Sequence, residues 1–225
     1  MSDGLALVEP PPEMFRVERS EPALHYSRIN ADTAGLDNAG NRFDVPGAGV
    51  LYAASSTQGA FAETTAHFRI SASLLEHMAS VGATPAELQV PAIDASWRAT
   101  RVIRTLRARD ALPFVDIEAA ETHTYLTGHA RSVLLSLAIP LLDVPTVRGS
   151  SRLLTRGLAT WIYQAKNDAG EPLFGGVRYL SKLSNEYECW AIFDGTTVQL
   201  LSDQRITIND PDLVAVAARH RVPLA

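Results

Sequence analysis

Apolar residues in this chain alternate with polar ones in short stretches near both ends and recur at helical spacing in between, and this change of period predicts the layout. "EMFRVE" (13–18) alternates and reads as a first strand. A polar, irregular segment then runs to Gly49, and connections of that length inside a compact domain commonly carry function. "GVLYAAS" (49–55) has the apolar density of a buried strand, and Ser56 or Thr57 is placed to cap a helix running to Phe68. In that helix Phe61, Thr64, Thr65 and Phe68 share one face, while Ala60, Glu63 and His67 lie on the neighbouring one. A second helix is predicted over 73–80, with Gly82 as its left-handed cap.

"AELQVPAI" (86–93), "TRVIRTL" (100–106) and "LPFVDI" (112–117) read as extended segments, and "TYLTGHARSVLLSLA" (124–138) as a helix. The strongest helical signal lies in 150–166, where Leu154, Leu158, Trp161, Ile162 and Ala165 form one apolar stripe. Three strands follow, "GGVRYLSKL", "YECWAIFD" and "TTVQLLS", with Asp194-Gly195 as a hairpin signal between the last two. A closing helix begins at Asn209 or Asp210, with Pro211 in its first turn. Strands at both ends with helices between predict an α+β fold, a single mixed domain over 13–225 behind a loose, proline-rich lead-in over 1–12.

Composition narrows the class. With 46% hydrophobic and 20% charged residues in 225, this is the make-up of a globular protein with one sizeable core. The longest apolar run, Val133 to Leu142, is broken by Pro140 and falls short of the roughly 20 residues a bilayer crossing needs. No secretory leader is visible at the N-terminus, so the expectation is a cytoplasmic protein without membrane contact. The single cysteine, Cys189, excludes an internal disulfide and is expected to be buried. His123 and His129 are six residues apart, which does not suit a shared helix face, and no metal is expected. A formal net charge of -5 argues against direct nucleic-acid binding. Arg98, Arg101, Arg104, Arg107 and Arg109 form one local basic stretch, which reads as a solvated face or as a stripe for an anion.

Candidate chemistry gathers around the second strand. Arg42 in the long loop, Tyr52 in the strand and Glu63 on the helix read singly as surface, core edge and solvated face. Together, a strand leading into a helix under a long loop encloses a crevice. There an arginine offers a fork for a diphosphate or carboxylate, a tyrosine a stacking ring, and a glutamate a negative charge beside a developing cation.

The same residues belong to an ordered set of short motifs. Phe15-Arg16, Asn41-Arg42-Phe43, Leu51-Tyr52-Ala53-Ala54-Ser55, Ala60-Phe61-Ala62-Glu63, Leu154-Thr155, Trp161-Ile162-Tyr163 and the run from Gly176 to Lys182 follow one another across most of the chain. This series resembles the RES domain, the toxin of a bacterial type II toxin–antitoxin pair, related to ADP-ribosyltransferases. Asn41 stands where the pattern has glycine, and Lys182 where it has arginine. The resemblance implies an ADP-ribosyltransferase-like fold and an enzyme that consumes NAD as its substrate by cleaving the nicotinamide–ribose bond, as glycohydrolase, phosphorylase or ADP-ribosyltransferase. It implies Glu63 as the stabiliser of the cationic ribose, Arg16 and Arg42 on phosphate or ribose oxygens, Tyr52 near the nicotinamide, and Ser181 on the nicotinamide-ribose portion or the carboxamide. The implied partner is an Xre-type antitoxin with a helix-turn-helix domain, to which any DNA contact would belong. A homodimer is compatible with the resemblance. The alternative is a non-catalytic module of the same fold that binds a nucleotide or a partner.

Overall fold

The computed structural model describes residues 4–84, 87 and 90–225. Its centre is one eight-stranded sheet: β1 (Leu7–Val8), β2 (Met14–Arg19), β3 (Val50–Ala54), β4 (Arg101–Arg109), β5 (Phe114–Asp116), β6 (Gly176–Leu180), β7 (Glu188–Phe193) and β8 (Thr197–Arg205). The hydrogen-bonded order is β1-β5-β6-β7-β3-β2-β4-β8, antiparallel throughout except for β5 and β6. The helices are α1 (Thr57–Thr65), α2 (Ala72–Val81), α3 (Ala95–Ala99), α4 (Ala120–His129), α5 (Arg131–Ser136), α6 (Val144–Arg148), α7 (Arg152–Gln164) and α8 (Pro211–His220). This is the mixed α+β architecture expected from the pattern.

The sheet cannot be flat. Three residues, Asp194 to Thr196, join β7 to β8, which lie four places apart in the order. Four strand spacings cover roughly 19 Å, whereas the four residue steps from Phe193 to Thr197 reach at most about 14 Å. The sheet therefore curls, and Met14, Leu51, Leu106, Phe114, Trp190 and Ile192 fill the inside of the curl. The outer face carries the larger core, against which Phe61 of α1 and Leu154, Leu158 and Ile162 of α7 pack. At Gly176 the strands come so close that a Cβ would lie 2.5 Å from the Phe114 ring, so glycine is required there.

Several expectations need correction. Within the segment expected as a loose lead-in, the described residues 4–12 are tied down: Leu5 is buried, Leu7 and Val8 pair with β5, and the Ala6 amide donates to the Thr122 hydroxyl. Asp194-Gly195 does not close a hairpin, because both edges of β7 are already taken by β3 and β6. The Asp194 carboxylate instead accepts from the Gly49 amide at 2.7 Å, fastening the turn to the start of β3. The helix predicted over 124–138 is two helices that meet at Ala130, and the one predicted to Phe68 ends at Thr65 and continues as a 3-10 turn. Residues 86, 88 and 89 of the extended segment predicted over 86–93 lie outside the described residues; Ile93, at its end, bridges to Leu224. Gly82 does adopt the left-handed cap, with φ 65°. The arginines of 98–109 do not form one face either: Arg104 is buried and ion-paired, while Arg101 lies over the Trp97 ring.

Candidate active site

The site begins where the sheet parts. β2 and β3 share a single register pair, Phe15 with Ala54, and beyond it the two strands diverge. Backbone groups that lose ladder partners need others, and the Arg16 side chain supplies them. Its Nη1 donates to Tyr52 O at 2.6 Å, its Nη2 to His25 O at 3.1 Å, and its Nε to the Glu18 carboxylate at 2.7 Å. Glu18 also pairs with the buried Arg104 at 2.7 Å, which in turn pairs with Asp203 on β8. A charged chain across β2, β4 and β8 thus holds the opening in shape.

A cleft of about 720 Å³ lies in this opening. Arg16 stands in its wall from β2, Tyr52 from β3, Glu63 from α1, Arg42 and Arg28 from the long loop, Arg152 from α7, and Tyr179 and Lys182 from β6 and its exit. Five cations and one carboxylate in one concavity of a chain with net charge -5 make a local positive field suited to an anionic ligand.

The loop before β3 is shaped by residues that the sequence did not single out. Asp44, buried, accepts from the Tyr52 hydroxyl at 2.9 Å, from the Ser27 hydroxyl at 2.9 Å and from the Asn41 amide at 2.7 Å. The Phe43 amide donates back to the Tyr52 hydroxyl oxygen at 3.1 Å, so that hydroxyl both donates and accepts and holds the tip of the ring. Burial, then the Asp44 charge, pushes the Tyr52 hydroxyl well above its usual range, so it stays neutral. Arg42 lies over the rings of Phe43 and Tyr179, 5.1 and 5.2 Å from their centroids, and donates to Leu180 O and Val147 O. Farther back, the buried Arg156 of α7 donates to three loop carbonyls, Ala34 O, Leu36 O and Ala39 O. Replacing it with methionine leaves Ala34 O and Ala39 O without donors and Leu36 O with only the Ala39 amide. Arg156→Met should lower the unfolding free energy by about 2–4 kcal/mol and speed proteolytic cleavage within 30–42, both read on the purified chain.

Glu63 is exposed at the cleft edge, and it is not alone there. The Ser181 hydroxyl, buried at the exit of β6, donates to Glu63 Oε1 at 2.5 Å and itself accepts from the Leu183 amide at 3.0 Å. One carboxylate oxygen is thereby held, and Oε2 has no hydrogen-bond partner among the described residues. Arg16, Arg42, Tyr52 and Glu63 all line the cleft; Ser181 stands behind Glu63 and reaches it through that bond. His67 packs against the Phe68 ring, tilted by 37° with centroids 4.1 Å apart, rather than orienting the glutamate. Tyr179 is buried, and burial, then Cys189 and Glu63, pushes its hydroxyl well above the usual range. Burial likewise drives the Cys189 thiol far upward, so it is no nucleophile.

His123 and His129 each bond a backbone carbonyl, Ile117 O and Tyr125 O. Among the described residues no group of three or more His, Cys, Asp or Glu side chains could hold a metal ion. No helix among them is long and apolar enough to cross a membrane.

Comparison with known proteins adds a family. A family model described as the RES domain matches residues 13–215. Among solved structures, a chain of the M. tuberculosis MbcT-MbcA toxin-antitoxin complex is similar, with TM-score 0.48 and 13% identity over 96% of this chain and 92% of that one. No curated protein matches the sequence.

Proposed function

Because this chain belongs to the RES-domain family, we propose that it is the toxin of a bacterial toxin–antitoxin pair whose cleft binds NAD and breaks the nicotinamide–ribose bond. The observation that carries the reading is the Glu63 carboxylate in the wall of a cleft of cations, with one oxygen held by Ser181. NAD is a dianionic diphosphate joined to a cationic nicotinamide ribose. Cleavage sends the electron pair of the C–N bond to the ring nitrogen, so nicotinamide leaves neutral and the ribose carbon turns positive. A carboxylate beside that carbon interacts more strongly with the transition state than with the ground state, which is what lowers a barrier. Ser181 fixes the orientation of Glu63 in advance, and Tyr52, tied to Asp44 and Phe43, offers its ring for the nicotinamide to stack on. The acceptor that adds to the ribose carbon, whether water, phosphate or a protein side chain, loses a proton as it does so.

The partner proposed is an antitoxin with an Xre-type helix-turn-helix domain, and DNA contact belongs to it. The test is to incubate the purified chain with NAD and follow free nicotinamide. Release is the expected result, and the co-product, ADP-ribose, its 1-phosphate or a modified protein, identifies the acceptor. Binding of NAD by a folded sample without any release would overturn the enzymatic reading and leave a nucleotide-binding module.

A further inference from the structure

The five cations of the cleft fall into two groups. Arg16 and Arg28 have carboxylates close by, Glu18 at 2.7 Å and Asp194 at 3.4 Å. Arg42, Arg152 and Lys182 have no carboxylate within 4.0 Å among the described residues. Their positions are set by neutral acceptors instead. Arg42 donates to Leu180 O and Val147 O, Arg152 to Asn38 O and Gly40 O through Nη1 alone, and Lys182 to Gly149 O. Backbone carbonyls orient a cation without cancelling its charge. The second Arg152 nitrogen, Nη2, and two of the three ammonium protons of Lys182 remain for another acceptor.

This arrangement is unfavourable with the cleft empty. The fields of Arg42 and Arg152 act on Lys182 and, after burial, lower its pKa; Asp37 and Glu63 oppose them. Asp37 accepts from the Leu153 amide at 3.0 Å and Glu63 gives one oxygen to Ser181, and among the described residues neither forms an ion pair with these cations. Arg152 is also the first residue of α7, the end of a helix where a cation is disfavoured. Like charges gathered against a helix N-terminus, and held there by neutral groups, are suited to an anion with several oxygens.

Resting on the reading of the cleft as an NAD site, we infer that Lys182 and Arg152, with Arg42 behind them, form the subsite that takes the diphosphate. Arg16, whose guanidinium is spent on Glu18, Tyr52 O and His25 O, shapes the cleft and does not ligate phosphate. The guanidinium fork of Arg152 and the ammonium of Lys182 supply donors for oxygens on adjacent phosphorus atoms. Both residues bind a part of the substrate whose charge does not change in the reaction, so their loss should raise KM and leave kcat nearly unchanged.

The experiment is calorimetric titration of the full chain with ADP-ribose, which keeps the diphosphate and lacks nicotinamide. Lys182→Met and Arg152→Met should each weaken binding by about tenfold or more, the loss of one charge-assisted hydrogen bond. Lys182→Arg should stay within about threefold of the unaltered chain, which guards against a folding artefact. Arg131→Met, which removes an exposed charge of α5 outside the cleft, is the control. ADP-ribose affinity unchanged in both methionine variants would overturn the subsite. Nicotinamide release by those variants at unaltered KM would also overturn it while leaving NAD cleavage standing. Lys182-dependent binding of inorganic diphosphate by a chain that neither binds nor cleaves NAD would support the subsite and sink the NAD reading.

Discussion

Purified Glu63→Gln protein should release nicotinamide from NAD on the order of 100-fold or more slowly than the unaltered chain, with an unchanged melting temperature. Both halves follow from the placement of Glu63. It is exposed, so exchanging it for an amide of nearly the same shape removes no packing. Its Oε1 accepts from the Ser181 hydroxyl, and the glutamine carbonyl can still accept that bond, so the serine stays satisfied. What disappears is the negative charge facing the cleft, and with it the interaction that grows as the ribose turns cationic. Ser181→Ala makes the complementary point: the charge remains but its carrier is free to rotate, so the rate should fall by less than in Glu63→Gln. The readout is initial-rate nicotinamide release, with thermal melts of each variant alongside. Full activity in Glu63→Gln would remove the carboxylate from the mechanism.

Glu18→Gln should be the most damaging isosteric change in the chain, costing about 3 kcal/mol or more of folding stability. The Glu18 side chain is only 5% exposed. Its two oxygens meet Arg16 Nε at 2.7 Å, Arg104 Nε at 2.7 Å, the Leu24 amide at 2.9 Å and the His25 amide at 3.3 Å. Every one of these is a donor. An amide group in that place must turn its NH₂ toward some of them, and Arg104, nearly inaccessible, keeps only Asp203 and Ser20 O. Leu24 is held at φ 54°, a conformation that a leucine adopts reluctantly, and its amide bond to Glu18 helps keep it there. For a chain of this length 1 kcal/mol corresponds to about 2–4 °C, so the melting temperature should drop by roughly 6–12 °C. A drop below about 2 °C would mean that the carboxylate contributes little to the fold.

The elements legible in the sequence are those whose burial leaves a period or an unbroken apolar run. α7 shows its stripe because Leu154, Leu158 and Ile162 meet the core on one side, and β3 shows its apolar run because both faces of it are covered. Of the candidate site residues, Arg42, Tyr52 and Glu63 are legible from a strand leading into a helix under a long loop, Arg16 and Ser181 only from the ordered motifs. Arg156, Asp44 and Arg152 were not found, because their partners are carbonyls and hydroxyls of the long loop, and a hydrogen bond to backbone leaves no trace in residue spacing. Asp194-Gly195 misled for a related reason. The dipeptide reports a tight turn, which is present, but whether the flanking strands pair depends on which neighbours β7 already has. The curl of the sheet, a consequence of that pairing order, was likewise invisible.

The hydrogen bond between Ser181 and Glu63 spans 118 positions of the polypeptide. During synthesis, a nascent chain that has emerged only through α7 therefore has the glutamate but neither the hydroxyl that steadies it nor the strands β6 and β7 that back the cleft. The carboxylate therefore gains its fixed orientation only late, once the strand that delivers the serine has folded against the helix that carries the acid.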